Sequence, residues 1–139
     1  MKHLFSIAFV LFLTFNLNAQ DQKPQFKFEK EMINYGKIAQ NSNGKRVFVF
    51  TNVGKSPLVI TKVQASCGCT VPKKPKDPIM PGEKGEIEVS YDTKRVGGFS
   101  KAITIYSNAK NPRKVLRIRG MVEKVSMEKE KSMLSEGKS

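Results

Sequence analysis

An all-β, immunoglobulin-like antiparallel β-sandwich of about seven strands is the fold class this sequence predicts. Three observations carry the prediction. Apolar and polar residues alternate in short runs, no run sustains a helical period, and clusters of Gly, Pro, Asn and Ser separate the runs. The first strand candidates are Phe26-Lys27-Phe28 and Ile33-Asn34-Tyr35, both short. Val47-Phe48-Val49-Phe50 and Leu58-Val59-Ile60 are apolar on both sides, as central strands often are. Glu86 to Tyr91 alternates strictly, placing Ile87, Val89 and Tyr91 on one face and Glu86 and Glu88 on the other. Ala102 to Tyr106 is rich in β-branched and aromatic residues. Arg113 to Val122 alternates again, with Leu116, Ile118 and Val122 opposed to Arg117 and Arg119.

The turns between these runs have identifiable mechanics. Asn41-Ser42-Asn43-Gly44 and Asn52 to Pro57 combine Asx turns with glycines that tolerate positive φ. Pro81-Gly82 carries a type II turn signature, and Gly97-Gly98 reads as a hairpin turn.

Around this domain, residues 20–123, the ends differ in character. A basic start (Lys2, His3) precedes a 12-residue apolar run, Leu4 to Phe15, followed by Asn16-Leu17-Asn18-Ala19. The run is too short for a membrane span of about 20 residues and fits a cleavable signal peptide, residues 1–19. The expected compartment is therefore periplasmic or secreted, with no transmembrane segment in the mature chain. Residues 124–139 are charged and sparse in apolar groups, as in a flexible tail.

Composition excludes several function classes. The chain has 139 residues, a net charge of +13, one histidine and no tryptophan. Cleavage removes Lys2 and His3, leaving 24 basic against 12 acidic residues, a net +12. Without histidine there is no Ser-His-Asp or Cys-His catalysis and no histidine-containing zinc site. No close carboxylate pair of the glycosidase kind and no phosphate-cradling glycine loop is present. The expectation is a non-enzymatic protein with no cofactor. Its partner would be an envelope protein or an anionic surface component, and not nucleic acid.

The one chemically pointed feature is Ser66-Cys67-Gly68-Cys69-Thr70, which holds both cysteines of the chain. Three readings stand. Cys67 and Cys69 form a local disulfide, with Gly68 permitting the tight backbone. Alternatively the pair is redox-active, with Lys73 and Lys74 favouring a thiolate. In the third reading the two thiolates bind Cu(I), with Met80 or Met121 as a further ligand. After the cysteines comes a ten-residue loop, Val71 to Met80, stiffened by Pro72, Pro75 and Pro78. Lys73, Lys74 and Lys76 stand on it against Asp77, which makes it a candidate binding loop. A second basic cluster, Arg113 and Lys114 with Arg117 and Arg119, reads as an anion site; alternatively Arg117 and Arg119 are cross-strand partners of Glu86 and Glu88.

Six short motifs in order carry a family resemblance. They are Asn34-Tyr35-Gly36-Lys37-Ile38, Asn52-x-Gly54-x-x-Pro57-Leu58-x-Ile60, Ser66 to Thr70, Pro81-Gly82-Glu83, Ser107-Asn108 and Ile118-Arg119-Gly120. The chain resembles, from about Phe26 to Val122, an exported bacterial family of uncharacterised function with a Cys-Gly-Cys signature. That family is similar to Hydin-type and major-sperm-protein-type immunoglobulin-like domains. The resemblance implies the sandwich fold and assigns no activity; by analogy with such relatives, it implies a binding or scaffolding module of the cell envelope.

Overall fold

The computed structural model describes residues 22–126. The expected leader and the tail beyond Ser126 lie outside the described residues. Eight strands follow in order: β1 (Phe26–Phe28), β2 (Met32–Ala39), β3 (Lys45–Asn52), β4 (Ile60–Ala65), β5 (Thr70–Lys73), β6 (Lys84–Tyr91), β7 (Gly97–Ser107) and β8 (Arg113–Glu123). They build two four-stranded sheets, ordered β1-β3-β6-β5 and β2-β8-β7-β4. The period-two alternation is what packs them. Phe48, Phe50, Ile87 and Val89 of one sheet are buried with Ile103, Ile105, Leu116, Ile118 and Val122 of the other in one core. Each such side chain contributes roughly 1.5–3 kcal/mol by leaving water.

Glycine is required at two positions, for different reasons. Gly120 leaves no room for a side chain: a Cβ there would sit 2.7 Å from Tyr35 Cβ and 2.9 Å from Phe99 Cζ. Gly82 takes φ +81° in the turn that Glu83 N–H closes on Met80 C=O at 3.0 Å, as the Pro-Gly pair predicts.

Four local expectations are corrected. The sandwich is not wholly antiparallel, because β2 runs parallel to β8, with Ile33 opposite Ile118. Alternation along a strand carries no information about its neighbour's direction. Second, Leu58-Val59-Ile60 is not a central strand. β4 starts at Ile60 on a sheet edge, and Leu58 is buried by a two-bond bridge to Ile79 instead. Third, Gly97-Gly98 is not a hairpin turn: it opens β7, and residues 92–96 carry the chain from β6 in one sheet to β7 in the other. Fourth, Arg117 and Arg119 cannot pair with Glu86 and Glu88, which lie on β6 of the opposite sheet. Their neighbours are Met32 and Ala102 for Arg117, Asn34 and Ser100 for Arg119.

Candidate functional site

Over the described residues the chain changes sheet five times, and two of these crossings join edge strand to edge strand at opposite sides of the sandwich, β1 to β2 and β4 to β5. The Cys-Gly-Cys segment occupies the latter. Cys67 and Cys69 are joined by a disulfide there, with their Cα atoms 5.3 Å apart. Cys69 is buried at 6% exposure while Cys67 is half-exposed, so the two sulfurs differ in access. Thr70 Oγ1 lies 3.8 Å from Cys67 Sγ and 3.9 Å from Cys69 Sγ, touching both. The sequence motif includes Thr70, but nothing in its type or spacing announced this contact.

Backbone bonds tie the segment to both sheets. Ser66 N–H donates to Ala102 C=O at 2.9 Å, and Ala102 N–H donates to Ser66 Oγ at 3.2 Å. On the other side Asp92 N–H donates to Cys69 C=O at 2.9 Å. Gly68 does not take a left-handed φ, and nothing lies within 4 Å of where its Cβ would sit. The crossing therefore closes on ordinary backbone, and glycine is not demanded by that conformation. Behind the crossing, Thr70 pairs with Tyr91, whose ring stacks on Phe99 at 3.8 Å. Phe99 meets Tyr35 edge-on at 5.2 Å. Burial pushes both phenols above their ordinary pKa of 10.0; Arg46 opposes this at Tyr35 and Arg95 at Tyr91, where Asp92 adds to it. Tyr35 Oη donates to Gly44 C=O at 2.8 Å.

The three candidate lysines are held apart from the disulfide. Strand β5 takes the first residues of the expected loop, so the loop proper begins at Lys74. Proline did not prevent the strand because β5 is an edge, where one side of the backbone has no partner to bond. Thr70 to Lys73 spans three steps of about 3.3 Å, so the lysines lie at the far end of β5. Lys73 is also engaged, its Nζ 3.7 Å from Glu88 Oε1, which Lys45 shares at 3.6 Å. The arrangement gives Lys73 and Lys74 no place beside the sulfurs. Met80 lies at that same far end. Met121 packs its Cε 3.6 Å from where a Gly98 Cβ would sit, on the outer face of the other sheet.

The loop itself is pinned. Leu58 and Ile79 exchange backbone bonds at 2.8 and 2.9 Å. Asn52, fully buried, donates from Nδ2 to Ser56 C=O at 2.8 Å and Ile79 C=O at 2.9 Å. Its Oδ1 accepts from Gly54 N–H at 3.0 Å and Gln25 N–H at 3.3 Å. Lys74 and Lys76 are thus exposed on a loop fixed at both ends. Among the described residues no three His, Cys, Asp or Glu side chains gather as metal ligands. No described helix is long and apolar enough to cross a membrane.

Solved structures resemble this sandwich at low sequence identity. A protein of unknown function from Porphyromonas gingivalis W83 superposes with a TM-score of 0.64 at 16% identity, over 76% of this chain and 51% of that one. This chain therefore spans about half the length of that protein. The ASH/PapD-like domain 7 of human CEP192 gives 0.59 at 6% identity, over 77% and 91%. The YadV chaperone gives 0.54 at 10%, over 71% and 52%. These likenesses establish an immunoglobulin-like, PapD-like sandwich. No curated protein matches the sequence. A family model described as a protein of unknown function (DUF1573) matches residues 26–122, and the chain belongs to that family.

Proposed function

We propose that this chain is a non-enzymatic, immunoglobulin-like binding or scaffolding module of the bacterial cell envelope. The observation that carries the reading is the pinned basic loop. Lys74 and Lys76 project from a segment that the Leu58–Ile79 bridge, Asn52 and the β5–β6 pairing already hold. A loop ordered in advance loses little entropy on contact, which favours binding. A chaperone is among the fold relatives, which is in keeping with protein-binding work by this architecture. The export reading rests on the leader at residues 1–19.

The test is affinity capture from envelope extract with wild type and a Lys73→Ser/Lys74→Ser/Lys76→Ser variant. Loss of the captured partner with folding intact supports the loop as the binding edge. Unchanged capture moves the site elsewhere on the module. Substrate turnover that survives alanine at both cysteines overturns the non-enzymatic reading.

One observation favours a second reading, thiol–disulfide exchange: Cys67 is accessible and Cys69 is not. A thiolate of a partner dithiol would attack Cys67 Sγ, and the Cys67–Cys69 bond would break with Cys69 leaving as thiolate beside Thr70 Oγ1. The partner's second thiolate then releases Cys67, leaving the partner oxidised and this pair reduced. Equilibration against glutathione buffers decides it. A potential far below the glutathione pool removes the exchange reading.

A further inference from the structure

The two outer faces of the sandwich treat charge differently. On the β1-β3-β6-β5 sheet, carboxylates are interspersed among the outward lysines: Glu88 holds Lys45 and Lys73, and Glu29 holds Lys84 at 3.1 Å. On the β2-β8-β7-β4 sheet they are not. Arg113, Arg117 and Arg119 stand on the outward side of β8, and Lys62 stands on β4 over the Tyr106 ring at 5.9 Å. Among the described residues no carboxylate lies within ion-pair distance of these four. The carboxylates bordering the face are already occupied, Glu123 by Lys37 at 3.3 Å and Glu31 by Lys114.

The same face exposes apolar side chains. Val115 and Met121 flank the two central arginines along β8, and Met32 lies beside Arg117 on β2. Next to the arginines, β7 turns Gly98, Ser100 and Ala102 outward, so only small side chains stand beside the guanidinium groups.

We infer that this face docks on an anionic phospholipid surface. The inference rests on the binding-module reading and adds a different surface to it. Charge excludes a second copy of the same face, since four cations would oppose four cations. The central outward positions of this face carry no carboxylate, so the surface complementary to it is one that is anionic throughout. Here Arg117 and Arg119 occupy the middle and Val115, Met121 and Met32 flank them. A bilayer surface accepts that order. Its many phosphate headgroups meet planar guanidinium groups wherever they stand on the sheet face, while short apolar side chains reach the acyl boundary.

The test uses the chain without its expected leader, residues 20–139, which contains the whole described sandwich. It is sedimented with vesicles of phosphatidylcholine alone and with vesicles containing one part in three of phosphatidylglycerol. Wild type is expected to bind the anionic vesicles and not the neutral ones. Neutralising two cations by Arg117→Gln/Arg119→Gln is expected to weaken binding about thirtyfold, from roughly fivefold per cation at a charged membrane surface. Charge reversal, Arg117→Glu/Arg119→Glu, should abolish it. Both pairs are exposed, and a thermal melt verifies that each variant folds. A Lys27→Gln/Lys84→Gln variant, on the opposite sheet, should bind vesicles as wild type does.

The proposal is overturned if wild type shows no preference for anionic vesicles, or if the arginine variants bind unchanged. It is also overturned if the lysine variant loses vesicle binding instead, or if polyglutamate is bound while vesicles are not. Protein capture without vesicle binding leaves the module reading standing and removes this face alone.

Discussion

Replacing Asn52 with alanine is the most informative single perturbation of this domain. Its side chain is fully buried and makes four hydrogen bonds, so the variant takes a partner from two N–H and two C=O groups at once. Gln25 is exposed, so its N–H can take water, and Ile79 C=O keeps the Leu58 N–H; both cost little. Gly54 and Ser56 are half-buried, and each lost partner there costs at the lower end of the 1–3 kcal/mol range. The expected loss is therefore about 2 kcal/mol, which for a domain of about 100 residues lowers Tm by roughly 8–16 °C. Urea melts measure it, with an unchanged m-value showing that the folded state itself is intact. Asn52→Asp adds a sign. It keeps the two acceptor bonds but sets a carboxylate against Ser56 C=O and Ile79 C=O, which raises its folded pKa above the unfolded value of about 3.9. A raised acid pKa gives stability at low pH that is lost as pH rises through the folded value. This variant should thus be more stable at pH 4 than at pH 7, relative to wild type. A loss below about 1 kcal/mol for the alanine variant would refute the account of Asn52 as the loop's anchor.

Three further outcomes follow from the same structure. Gly120→Ala drives a methyl group into Tyr35 and Phe99 and should cost about 1–3 kcal/mol in a denaturant melt. Gly68→Ala meets nothing within 4 Å and an ordinary φ, so its melting curve should stay within about 0.5 kcal/mol of wild type. The raised pKa of Tyr35 means the folded state holds its proton longer than the unfolded chain, so stability present below pH 10 is lost as pH rises above it. Alkaline melts should show that loss reduced in Tyr35→Phe, which instead gives up the bond to Gly44 at neutral pH.

The strands were legible because a half-buried strand writes its period of two directly into adjacent residues. Ile87-x-Val89-x-Tyr91 and Leu116-x-Ile118 needed no knowledge of their neighbours. What adjacent residues do not encode is partnership. Glu88 holds lysines from β3 and β5, whereas the sequence offered it Arg117 and Arg119 from a sheet it never touches. Strand β5 was hidden by Pro72, because an edge position and an interior one look alike before the sheet is assembled. Asn52 read as an Asx turn. Its Gly54 bond is that turn, but the bonds to Gln25 and Ile79, each 27 residues away, come only from the fold. The cysteines were visible as a pair, while the difference in exposure between them is a product of packing.

The two edge crossings of the sandwich are closed by different chemistry, and this locates the effect of breaking the disulfide. Packed sheets lie about 10 Å apart, so each crossing must carry the chain through that thickness at an open edge. At β1–β2 the edge is filled by Phe26 and Phe28, which stack at 5.2 Å and both contact Phe50. At β4–β5 the inward residues are small, Val63, Ala65, Cys67 and Thr70, and the sulfur bridge closes what no aromatic ring fills. A closed loop of three residues restricts the unfolded chain by only about 1.6 kcal/mol in the chain-entropy treatment. Reduction should therefore loosen the edge locally before it threatens the core. Amide exchange is the discriminating measurement. The Asp92 N–H, bonded to Cys69 C=O, and the amides of Val71 and Lys73 on β5 should exchange faster after reduction. Those of β3 and β8, backed by Phe48, Phe50, Leu116 and Ile118, should hold their rates. Uniform acceleration across all eight strands would show instead that the bridge stabilises the whole sandwich, and the edge-closure argument would fall.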